Sequence, residues 1–149
     1  MTEFHVTANI PSPPEELIKI ATEFEKMPEF FQYLKEIKIV EEKENEFKTE
    51  ETITFTYHKL THTISQQTIT KKLSPNQLEA NIISGPLNGS HVVTTYEKTD
   101  QGSKVVIDGN LKIGFKYKFL SPIITKRIKM ASIAVLYKMH TAISDMNVT

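Results

Sequence analysis

The chain has no cysteine, no tryptophan and only five glycines, and its apolar residues nowhere form a long uninterrupted run. Without cysteine there can be no disulfide, no thiolate metal site and no cysteine nucleophile, and the composition suits a reducing compartment. No stretch approaches the roughly 18 apolar residues of a membrane-spanning helix. The opening Met1-Thr2-Glu3-Phe4-His5-Val6 lacks the basic start and apolar centre of a secretory signal, so a cytoplasmic location is expected. No recognisable catalytic motif is present either.

One absence is local. Residues 112–138 hold no acidic side chain but seven basic ones, whereas residues 1–51 hold 13 acidic and 6 basic. The whole chain is neutral, with a pI near 7.0, which argues against a nucleic-acid partner. The basic segment reads most simply as a solvated face. Its functional alternative is steering of an anionic ligand, or transient contact with a membrane surface through Lys126, Arg127 and Lys129.

What is present is an order of elements. At 149 residues the chain is long enough for one core and is expected to form a single domain over 1–149. Phe4, Val6, Ala8 and Ile10 alternate with polar residues, the period of a half-buried strand. Ser12-Pro13-Pro14-Glu15 predicts a helix with Ser12 as its N-cap and Glu15 completing a capping box. Met27-Pro28 interrupts it, and a second short helix is expected from Glu29 to Leu34. Six further strands follow, separated by turn signals such as Ser74-Pro75-Asn76 and Asp100-Gln101-Gly102. From Ser121-Pro122 a long amphipathic helix carries Ile124, Ile128, Ala131, Val135, Met139 and Ala142 on one stripe. Ile133, Leu136 and Tyr137 make it apolar on a second side, as suits a deeply embraced helix or a dimer contact, and monomer and homodimer both stay open.

The expected fold is therefore α+β: a seven-stranded curved antiparallel sheet wrapped around a long C-terminal helix, with two short helices after the first strand. This order resembles the helix-grip arrangement of the START-like superfamily, which includes polyketide cyclases, plant pathogenesis-related allergens and coenzyme-Q-binding proteins. The local anchors are Ile10-Pro11-Ser12-Pro13-Pro14-Glu15-Glu16-Leu17, Met27-Pro28-Glu29-Phe30-Phe31 and Ile83-Ser84-Gly85-Pro86-Leu87. The last is similar to the Gly-Pro loop of the polyketide cyclase/coenzyme-Q-binding branch. The tryptophan often found after that loop is missing, as is the glycine-rich loop of the allergens. The resemblance implies binding or transport of a hydrophobic small molecule (lipid, quinone or polyketide-like) between sheet and helix, with no cofactor. A cyclase- or dehydratase-type reaction in the same pocket is the alternative it implies.

Strand parity and the helix stripe nominate the pocket wall. From the strands come Phe55, Tyr57, Ile64, Gln66, Ile82, Val92, Thr94 and Leu111; from the helix come Ile128, Val135 and Met139. A cyclase would need a buried acid or base, for which Tyr57 and His62 are the candidates. A tyrosine with its ring in the core and its hydroxyl on a backbone partner is the commoner situation. His58, His62 and His91 do not suggest a metal site, because four residues of strand separate the first two by about 13 Å. The segment Ile64 to Thr70 has no clean apolar face. Either it is poorly buried, or its polar groups point inward and need partners from a ligand or water.

Overall fold

The computed structural model describes residues 2–146. Strand β1 (Thr2–Ile10) is followed by α1 (Pro14–Ala21), a 3₁₀ helix (Phe24–Glu29), β2 (Leu34–Lys43), β3 (Glu46–Tyr57) and β4 (Leu60–Ser74). Then come β5 (Gln77–Ile82), β6 (His91–Thr99), β7 (Gly102–Leu111), a second 3₁₀ helix (Phe115–Leu120) and α2 (Ser121–Met146). All strand pairs are antiparallel, in the order β1-β7-β6-β5-β4-β3-β2, so the N-terminal strand closes against the last one.

The alternation in β1 sets the core face. Phe4, Val6, Ala8 and Ile10 are buried against Val105, Ile107 and Leu111 of β7, and α1 adds Leu17, Ile18 and Ile20. Phe4 pairs across the ladder with Gly109, and its ring lies where a Cβ would sit: a methyl there would meet the ring at 1.9 Å. Glycine at 109 thus gives the Phe4 ring its seat.

Two local expectations give way to tertiary contacts. Ser12 does not cap α1; Pro13 holds that position without a side-chain cap. The Ser12 hydroxyl instead hydrogen-bonds His140 Nδ1 of α2 at 2.6 Å, while its carbonyl accepts from the Ser103 hydroxyl at 2.6 Å. One serine therefore ties three elements together, which a cap could not do. The second short helix is a 3₁₀ turn ending at Glu29, with Pro28 inside it, and Leu34 already begins β2. Pro28 has no N–H to donate, and the short 3₁₀ turn ends one residue beyond it.

Helix α2 is divided along its length. Its C-terminal half buries Val135, Leu136, Met139 and Ile143 in the same core as β1 and α1. Its first turns form the wall described next, with Ile128 at the boundary packed against the core.

Candidate ligand-binding site

A cavity of about 210 Å³ lies between the first turns of α2 and the concave face of the sheet. Its long wall is the β3–β4 ladder. In register, Tyr57 faces Leu60, Phe55 faces His62, Ile53 faces Ile64 and Glu51 faces Gln66, running from the hairpin tip inward. The tip is a two-residue turn with His58 and Lys59 both at positive φ, a primed geometry that follows strand twist. Strand β4 outruns β5: pairing with β5 begins only at Thr68. The gap beside β4 is covered by the loop after β5, where the Ile83 N–H donates to the Gln67 carbonyl and the Gln67 N–H donates to the Ser84 hydroxyl. Gly85 sits in that loop at φ +82°, and a Cβ would come within 2.6 Å of the Ser65 carbonyl oxygen, so only glycine fits. Pro86 and Leu87 then close the side of the cavity.

Of the residues nominated from sequence, Phe55 and Tyr57 on β3, Ile64 and Gln66 on β4, and Ile82 on β5 line the cavity. Val92, Leu111 and Ile128 do so from β6, β7 and α2. Three do not. Thr94 shares the inward face of Val92 but lies beyond the cavity's end, and Val135 and Met139 are core residues of the C-terminal half of α2. A stripe at helical spacing marks a buried face without saying what it is buried against. Ile123, Ile124 and Arg127 form the helix wall with Ile128. Tyr117, from the second 3₁₀ helix, leans on the ladder with its ring 6.3 Å from Phe55 and 5.9 Å from His62.

His62 does not reach the lining. Its ring stacks on Phe55 at 5.1 Å, directly across the ladder and on the same face, toward the hairpin-tip end of the wall. His58 is at the hairpin turn against Tyr57, and His91 is bound to Glu79 at 3.1 Å, so the three histidines occupy separate places. Among the described residues no group of three metal-binding side chains converges. Asp108 faces water and pairs with His5 at 2.6 Å.

The basic segment also divides. Lys126 and Lys129 are exposed. Arg127 is not a free surface charge: its Nη1 donates to the Thr56 carbonyl at 3.0 Å, fastening α2 to the end of β3. Beside it, Phe115 and Phe119 of the 3₁₀ helix are 95% and 76% exposed.

The inward alternative holds for β4: Gln66, Thr68 and Thr70 all face inward and are buried, while Glu51 on β3 was not foreseen. Opposite them stand buried Thr49 and Glu51 of β3. Burial raises the Glu51 carboxyl to about 7, helped by neighbouring Glu50 and opposed by the Thr68 and Thr49 hydroxyls. Glu51 lies in an acid-rich run that reads as solvated. Its parity with Ile53, Phe55 and Tyr57 is the signal that places it inside.

No protein-family model and no curated protein sequence matches the chain. Solved structures do. TTHA0849 from Thermus thermophilus superposes with a TM-score of 0.81 at 13% identity, covering 96% of this chain and 99% of that one. The Zhui aromatase/cyclase from a Streptomyces species gives 0.79 at 10% identity, covering 99% and 96%. A START superfamily protein from Mycobacterium smegmatis gives 0.64 at 14% identity, covering 87% and 92%. The chain has a START-like fold. At such identities the likeness concerns the fold. Within the START-like frame the cavity sits where sheet and long helix face each other, and that position suits a hydrophobic ligand. Among the described residues no helix is long and apolar enough to cross a membrane.

Proposed function

We propose that this protein binds and carries a hydrophobic small molecule (a lipid, quinone or polyketide-like compound) in the START-like cavity. The observation that carries this reading is the wall itself. Isoleucine, leucine, valine, proline and aromatic rings make up nearly all of it, with Gln66 and Arg127 as the polar exceptions. Burying an apolar ligand there is worth about 25 cal/mol per Å² before the costs of association are subtracted. Native mass spectrometry of the purified protein, followed by organic extraction, tests the reading. The expected result is one bound lipid, quinone or polyketide-like species per chain, or stoichiometric uptake when such compounds are added. A protein that stays empty with all of them defeats the proposal.

A cyclase- or dehydratase-type reaction in the same cavity is the second reading. It is favoured by the likeness to an aromatase/cyclase and by the position of Tyr57 on the wall, with His62 stacked beside Phe55 on the same face. Conversion of an added linear polyketone, with release of the product, would distinguish it from simple carriage.

The finer reading of the basic segment is transient membrane contact through Lys126 and Lys129, with Arg127 at the rim. The exposed rings of Phe115 and Phe119 beside Lys116 and Lys118 suit the interface of an anionic bilayer. Co-sedimentation with phosphatidylserine-containing vesicles should fall at least about threefold in Lys126→Glu/Lys129→Glu and also in 0.5 M salt. Equal binding to neutral vesicles would exclude an electrostatic contact.

A further inference from the structure

We propose that Glu51 and Gln66 form a polar anchor at the inner end of the cavity, selecting ligands that bury a hydrogen-bond donor such as a hydroxyl or phenol. The inference rests on the hydrophobic-carrier reading and narrows its ligand class. Gln66 lines the cavity and is 6% exposed, and its Oε1 has no partner among the described residues. Directly across the ladder, Glu51 is 8% exposed and its Oε2 is likewise unpartnered. Side chains directly opposite on one face of an antiparallel pair are neighbours, with Cβ atoms about 5 Å apart.

The pattern is not diffuse. Among the buried side-chain oxygens without a partner among the described residues, those of Glu51 and Gln66 face each other across this one ladder. Those on Thr54 and Asn110 point by strand parity to the opposite face of the sheet. Native proteins pair nearly all buried polar groups, so an unpaired oxygen on the cavity-lining Gln66, with a second on Glu51 directly beside it, marks a place where something else supplies the bonds. Gln66 Oε1 is an acceptor at every pH and the Glu51 carboxylate is one once ionised, above about pH 7, so above that pH both call for a donor on the ligand. The trough above them is apolar as far as the hairpin tip, so the matching ligand has an apolar body and a hydroxyl at its leading end.

Two ligands on the same two-ring frame test this in the full-length protein: 2-naphthol, which donates a hydrogen bond, and 2-methoxynaphthalene, which carries one methyl more and cannot. Their two-ring bulk suits a cavity of about 210 Å³. In the parent chain 2-naphthol should bind about tenfold or more tightly than the ether. In Gln66→Leu and in Glu51→Leu this ratio, read within each variant, should shrink at least about threefold, and in the double variant it should approach about one. Circular dichroism confirms that each variant is folded. Equal affinities in the parent chain overturn the anchor while leaving the carrier reading in place. A ratio unchanged in every variant also overturns it. Binding of neither probe removes the carrier reading and the anchor together.

Discussion

At pH 8, Glu51→Gln should be about 2 to 3 kcal/mol more stable than the parent chain, and at pH 4 the two should be nearly equal. The reason is the upward displacement of the Glu51 carboxyl, from an ordinary 4.5 to about 7, caused mainly by burial. Below pH 4.5 the group is protonated both folded and unfolded, and burial of the neutral acid draws no charge penalty. Between about pH 4.5 and 7 the unfolded chain releases the proton while the folded chain keeps it. The unfolded state binds fewer protons across that window, so stability falls as pH rises, and levels off above about 7. Glutamine keeps the shape and never ionises, which removes the slope. Urea unfolding of both proteins at several pH values isolates the difference, because every other titrating group is common to the two. A stability gap that does not change with pH would show that Glu51 titrates normally.

Ile64→Trp should abolish binding of 2-methoxynaphthalene, lowering affinity by at least about 30-fold, while the fold is retained. Ile64 stands in the middle of the trough, opposite Ile53, on a segment fixed by its pairing with β3. It is only half-buried, so the larger side chain projects into empty space and not into packed neighbours. The same change at Val135 would have the opposite outcome. Val135 is enclosed by the core of β1, α1 and the C-terminal half of α2, where added volume costs about 1 to 3 kcal/mol. Isothermal titration with thermal melts separates the cases. Undiminished binding in a folded Ile64→Trp protein would place the ligand elsewhere.

These two positions also show what the sequence made legible. Alternation found all seven strands, because a half-buried strand must present every second residue to the core; Phe4, Val6, Ala8 and Ile10 are the clearest case. Strand parity also located most of the strand side of the cavity. The helix side was legible only as a buried stripe. Val135 and Met139 satisfy the same spacing as Ile124 but meet the core and not the cavity, with Ile128 touching both, and spacing alone carries no information about the facing element. Ser12 was misassigned because local capping competes with a long-range bond to His140 that no sequence window contains. Glu51 was overlooked because local charge density outweighed parity. The unclean face of β4 was the visible trace of the same polar floor, since Gln66 and Thr68 lie opposite Glu51 and Thr49.

The divided helix has a mechanical meaning. One end of α2 is clamped in the core and held by the Ser12–His140 bond; the other spans a hollow and is fastened at the rim by Arg127 to the Thr56 carbonyl. Lifting the rim end gives up a few side-chain contacts and one hydrogen bond, while the clamped end keeps the apolar contacts that dominate global stability. The helix is thus built as a cantilever. On the carrier reading, the work of admitting a ligand would be set at the rim end, separately from the work of unfolding, so ease of opening need not mean fragility.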